Sequence, residues 1–122
     1  VTALIVQSAH DQDHTVIALI GDLDALSAAR LDGAVEAALY DGRRHLTVDA
    51  ADLVFCDCSG VGALLRARRA VTAVQGTMTL ANVHGVLRRI LDVTRLDAAF
   101  SEKHDLGLPS SVPPGAAVAQ AL

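Results

Sequence analysis

The sequence predicts an α/β domain built on a mixed sheet, and three observations point there. Short runs of Val, Ile and Leu alternate with longer stretches whose apolar residues recur at helical spacing. The first two runs, at 3–6 and 15–20, are separated by the polar cluster at 9–14, which reads as a hairpin turn. Each later run follows a helical stretch, so strands and helices alternate once the hairpin is complete.

Residues 15–20 have no polar face, which predicts a central strand covered on both sides. Beyond Asp24 the period changes. Leu31, Ala34, Val35, Ala38 and Leu39 form the stripe of an amphipathic helix, and Asp41-Gly42 ends it. Residues 46–50 return to a strand, and 53–56 lead into the turn Asp57-Cys58-Ser59-Gly60. A second helix is expected over 59–74, burying Leu64, Ala67, Val71 and Val74 and leaving Arg66 and Arg69 in water, with Gln75-Gly76 as its stop. A strand follows at 77–83. Residues 84–93 then carry Leu87, Ile90 and Leu91 at helical spacing with Arg88 and Arg89 outward, and 96–100 form a last short element. All three prolines, Pro109, Pro113 and Pro114, lie beyond Ser101. The organisation expected is therefore one domain over 1–100 and a flexible Pro/Gly/Ser-rich tail over 101–122.

Composition narrows the function. A chain of 122 residues supports one core, and with Tyr40, Phe55 and Phe100 as its aromatics that core must be aliphatic. Stacking on nucleic-acid bases is not expected. Ten Lys and Arg against fourteen Asp and Glu give a net charge of -4, so there is no basic field for nucleic acid or an anionic membrane. No uncharged run reads as a spanning helix and no basic, then apolar leader opens the sequence, so a cytoplasmic location is expected. Cys56 and Cys58 are too close in sequence to bridge each other and read as free thiols. His10, His14, His45, His84 and His104 show no zinc-binding spacing, and the glycines form no phosphate-cradling loop. No catalytic residue, metal or cofactor is expected.

The turn at 57–60 carries the chemistry. It sets a carboxylate and short nucleophilic side chains at a helix start, where backbone N–H groups lack partners and negative charge is locally stabilised. The stretch from Leu46-Thr47-Val48-Asp49 through Asp57-Cys58-Ser59-Gly60 to Val61-Gly62-Ala63-Leu64-Leu65 resembles the signature of the STAS family, the domain of sulfate transporters and bacterial anti-sigma factor antagonists. Its loop usually reads Asp-Ser-Ser-Gly or Asp-Ser-Thr-Gly. Upstream, Gly21-Asp22-Leu23-Asp24 is similar to the family's Gly-Glu-Leu-Asp, and the resemblance runs from about Ala3 to Phe100.

The resemblance implies a four- to five-stranded mixed sheet with three to four helices packed mainly on one side. It also implies a non-enzymatic antagonist that binds an anti-sigma factor of GHKL-type kinase fold and frees a sigma factor to regulate transcription. Carried over by position, Asp57 is the loop acid, Cys58 stands where the antagonists carry their phosphoserine, and Gly60 allows the turn. Asp22 and Asp24 are neighbouring acids, with turn formation and helix capping as Asp24's competing role. Ser59 is either a second phosphoacceptor or the helix N-cap. Val61 and Leu65 are either interface anchors or ordinary core, with Arg66 and Arg69 as rim charges. Two other functions remain open: a STAS accessory subunit docking on a transporter ATPase, and a thiol redox switch or enzyme at Cys58. A weak homodimer is left open as well.

Overall fold

The computed structural model describes residues 3–12 and 14–103. The chain forms strand β1 (Ile5–Asp11), strand β2 (His14–Leu23), helix α1 (Ala28–Tyr40), strand β3 (His45–Cys56), helix α2 (Cys58–Ala73), strand β4 (Thr77–Ala81), helix α3 (Gly85–Thr94), a 3-10 turn (Leu96–Ala99) and strand β5 (Ser101–Lys103). The strands form one five-stranded sheet in the order β1-β2-β3-β4-β5. β1 and β2 are antiparallel, while β3, β4 and β5 each run parallel to the strand before them. A tight turn suffices for the first connection, whereas each parallel one needs a helical crossover.

Burial alternates along β2: Thr15, Ile17, Leu19, Gly21 and Leu23 are buried, and the residues between them only half-buried. In register with this buried row lie Leu46 and Val48 of β3, then Met78 and Leu80 of β4, all buried. Among the described residues, one face of the sheet is sealed under the helices, and the opposite row of β2 is half-buried. This corrects the expectation that β2 is covered on both sides. Its second apolar row, Val16, Ala18 and Ile20, is half-buried, a setting that suits β-branched residues.

The core is aliphatic. Leu31 and Val35 of α1, Leu64 and Val71 of α2, and Leu91 of α3 are essentially inaccessible against the sheet. Each such side chain contributes about 1.5–3 kcal/mol of transfer free energy. α2 stops at Val74, which is 36% exposed and so lies off the buried stripe expected of it. Gly76 then passes so near the chain before β3 that a Cβ there would lie 2.1 Å from the Arg44 carbonyl oxygen.

β3 differs most from expectation. Instead of two short runs it is one continuous strand of 12 residues. Against β2 its register slips twice, between Ala18 and Ile20 and again between Gly21 and Asp22, and each slip inserts one extra residue on β3. Asp49 supports the first bulge: its Oδ1 accepts the Ala51 N–H at 3.0 Å and the Asn82 side-chain amide at 3.0 Å. The final strand, Ser101–Lys103, pairs with β4 and extends the sheet beyond the boundary expected at residue 100. The part of the expected tail at 104–122 lies outside the described residues.

Leu80, fully buried on β4, should lose about 2–5 kcal/mol of stability on Leu80→Ala. Tyr40→Ala, at a residue 92% exposed, should stay within about 0.5 kcal/mol of the parent. Denaturant titration of both variants measures the contrast.

Candidate functional site

The turn between β3 and α2 is seated on the end of β2. The Asp57 N–H donates to the Leu23 carbonyl at 3.3 Å. Gly60 is packed so closely that a Cβ would lie 2.5 Å from that same oxygen and 2.7 Å from the Cys56 sulfur. Any larger residue would lift the first turn of α2 off the sheet. The signature glycine is therefore a packing requirement, and it brings 21–24 and 57–60 to one end of the molecule.

Asp57 is the N-cap of α2. Its backbone is extended (φ -108, ψ -170), its carbonyl accepts the Val61 N–H at 3.0 Å, and its Oδ1 accepts the Gly60 N–H at 2.9 Å. Ser59 is not the N-cap. Because the carboxylate two residues earlier takes that role, Cys58 and Ser59 become the first two helical residues, and both are exposed. An exposed thiol and hydroxyl thus sit where the N–H groups and dipole of α2 favour negative charge.

The two cysteines have opposite surroundings. Cys56 is fully buried and its thiol lies 3.5 Å from the Asp57 carbonyl oxygen. Burial pushes this thiol up to about 12, with the nearby Asp57 and Cys58 charges acting in the same direction. It is a core residue with no accessible thiolate. Cys58, two residues on, faces solvent.

Asp24 organises the adjoining turn. Its Oδ1 accepts the N–H groups of Leu26 at 3.0 Å and Ser27 at 3.1 Å. The buried Ser27 hydroxyl accepts the Asp24 N–H at 2.9 Å and donates to the Asp22 carbonyl at 2.8 Å. This network fixes the path from β2 into α1. Asp22, half-buried, lies in register with Phe55 across the sheet.

The expected apolar anchors are displaced. Val61 is 4% exposed and belongs to the core, because the seating of Gly60 turns its side chain inward. Leu65 is half-buried and packs against the same core. Arg66 is exposed and pairs with Asp32 of α1 at 3.2 Å, and Arg69 is also exposed. The apolar surface at this end comes instead from residues that periodicity alone did not single out. Val54 is 68% exposed, and Phe55 and Val86 are each 42% exposed. The second bulge of β3 is why Val54 and Phe55 both turn outward between buried Leu53 and buried Cys56. Four consecutive apolar residues at the end of a one-sided sheet were the available signal.

Among the described residues no group of three or more His, Cys, Asp or Glu is placed to hold a metal ion. No helix among them is long and apolar enough to cross a membrane. What the site offers is a surface that carries an exposed thiol and an exposed hydroxyl.

Asp57→Ala should destabilise the fold by about 0.5–2 kcal/mol through loss of the cap, with Asp57→Asn largely retaining stability in thermal melts. In the folded protein an alkylating reagent should modify one thiol near neutral pH, and Cys58→Ser should abolish that labelling. Cys56 should react only after unfolding, as intact mass measurements on native and denatured protein will read.

A family model described as "Mlab, STAS domain" matches residues 6–106. Among solved structures, an anti-sigma factor antagonist from Mycobacterium paratuberculosis is similar with a TM-score of 0.75 and 20% identity, over 86% of this chain and 89% of that one. The Bacillus cell fate determinant SpoIIAA in its phosphorylated form gives a TM-score of 0.65 and 24% identity, over 84% of this chain and 93% of that one. A sulfate transporter family protein from Wolinella succinogenes gives 0.67 and 15%, over 80% and 82%. The mixed sheet covered on one face, the glycine seated on the neighbouring strand and the match across most of the chain agree: this protein belongs to the STAS family.

Proposed function

We propose that this chain is an anti-sigma factor antagonist: it binds an anti-sigma factor of GHKL-type kinase fold through the turn at 57–60 and the start of α2, and so frees a sigma factor for transcription. The observation that carries the reading is the exposed Cys58 at the first position of α2, on a fold shared with antagonists, at the position where the family signature places its phosphoserine.

Phosphorylation adds roughly two negative charges, which would have to be desolvated beneath a docked partner or would meet like charge there. The fold would survive while binding was lost. A thiol is a poor acceptor for a serine/threonine kinase, so Cys58 leaves the chain in its binding-competent state. Ser59, exposed and relieved of capping by Asp57, is the remaining hydroxyl at the turn and the second candidate for phosphate. The protein works by occupancy in the cytoplasm and needs no catalytic group, metal or cofactor.

A second reading is an accessory subunit docking on a transporter ATPase; a sulfate transporter family protein among the similar structures shares the fold. It would use the same turn for assembly in place of switching.

Purified anti-sigma factors of the GHKL class from the source organism, titrated against the wild type, Cys58→Ser and Cys58→Asp, separate these readings. Cys58→Asp should weaken binding about tenfold or more, equivalent to about 1.4 kcal/mol. Cys58→Ser should bind like the wild type and accept phosphate when ATP is supplied. Equal affinity for all three proteins removes the turn as the contact, and binding to a transporter ATPase alone selects the second reading.

A further inference from the structure

One edge of the sheet is exposed along almost its whole length. β1 lies outermost, hydrogen-bonded to β2 alone, and of its seven residues only Val6 is half-buried while the rest are exposed. Its pairing with β2 runs without a slip from Ile5↔Ile20 to Asp11↔His14. Exposed edges are usually blunted by a Pro, a Lys, a bulge or a very short strand. Ile5-Val6-Gln7-Ser8-Ala9-His10-Asp11 carries none of these devices, whereas β5 at the opposite edge is three residues long and ends on Lys103.

The hairpin sets the phase of the hydrogen bonds along β1. Asp11 and His14 are in register with two residues between them, and a pair that closes so short a connection exchanges both of its hydrogen bonds. Alternation along the ladder makes Ala9, Gln7 and Ile5 the other residues bonded to β2. Val6, Ser8 and His10 therefore turn their N–H and C=O groups outward. A second β1 laid antiparallel about a two-fold axis through Ser8 sets Ser8 opposite Ser8 and Val6 opposite His10, so every outward residue of both strands is used and about six backbone hydrogen bonds form. At the intervening positions Gln7 meets Ala9 and Ile5 meets Asp11, and no like charges are opposed.

We infer that β1 is a dimerisation edge whose occupant is the β1 of a second copy of this chain, paired antiparallel in the register centred on Ser8. The two five-stranded sheets then become one continuous sheet, with the helices of both copies on the same face. The contact is small and mostly backbone, which makes the dimer weak and concentration-dependent. β3 and the turn that follows it stand on the other side of β2 from the joined edge. Because antiparallel pairing points the strands of the two copies in opposite directions, the dimer presents its two turns at 57–60 at opposite ends and is bivalent toward a partner that docks there. The edge and the turn are separate surfaces, so self-pairing does not depend on what the turn binds.

Sedimentation equilibrium of the full chain over about a hundredfold range of concentration should show the mass rising from the 12.7 kDa of one chain toward twice that value. Ser8→Lys and Ser8→Glu each set like charges opposite one another at the two-fold axis, so either variant alone should dimerise about tenfold or more weakly than the wild type. An equimolar mixture of the two should recover association as a mixed dimer. Ser8→Ala should dimerise like the wild type, because the bonding groups belong to the backbone. Thermal melts matching the wild type show that the variants are folded, as expected for changes at an exposed position. A wild type that stays monomeric throughout, or dimers that persist unchanged in Ser8→Lys and Ser8→Glu, overturns β1 as the dimer contact. A mixture that associates no better than its separate components overturns the pairing centred on Ser8.

Discussion

The close approach of Gly60 to the end of β2 is the contact on which the rest of the site depends. The Leu23 carbonyl accepts the Asp57 N–H, and the space a Cβ would fill at residue 60 is already taken by that oxygen and the Cys56 sulfur. With no side chain to hold them apart, the first turn of α2 lies directly on the sheet. Val61 is driven into the core as a result, and Cys58 and Ser59 are left on the outside. Exposure at those two positions follows from a packing constraint at a third.

The same constraint gives one end of the molecule its chemical character. Asp57 spends a lone pair on the Gly60 N–H, and Asp24 does the equivalent for the turn into α1, so two carboxylates that look like functional acids in the sequence are also structural ones. Their hydrogen bonds satisfy backbone donors that would otherwise face solvent at chain reversals. Both carboxylates remain half-buried at the rim of the molecule.

Much of this was legible in the residues. Apolar periodicity placed the three helices and all but the last strand, and the hairpin followed from the polar break at 9–14. The turn at 57–60 stood out because Asp, Cys, Ser and Gly together cannot continue a strand. Local pattern could not specify the side-chain partners. Whether Asp57 or Ser59 caps α2 depends on which oxygen reaches an N–H first, and whether Val61 is core depends on a contact with Leu23, far away in the sequence. The bulges in β3 were equally hidden, since a slip in register is a property of two strands and periodicity reads one. That is why Leu53-Val54-Phe55-Cys56 reads as a uniform apolar run while its two middle residues face water.

Those slips also bear on how such a domain diversifies. Each takes up one residue on β3 while pairing resumes on either side, so the rim of the sheet can gain or lose length without transmitting the change to Gly60 or to the helix beyond it. A lineage can therefore remodel the outward side chains next to the turn while its foundation stays fixed. Close relatives sharing one scaffold would then be free to diverge in the surface they present.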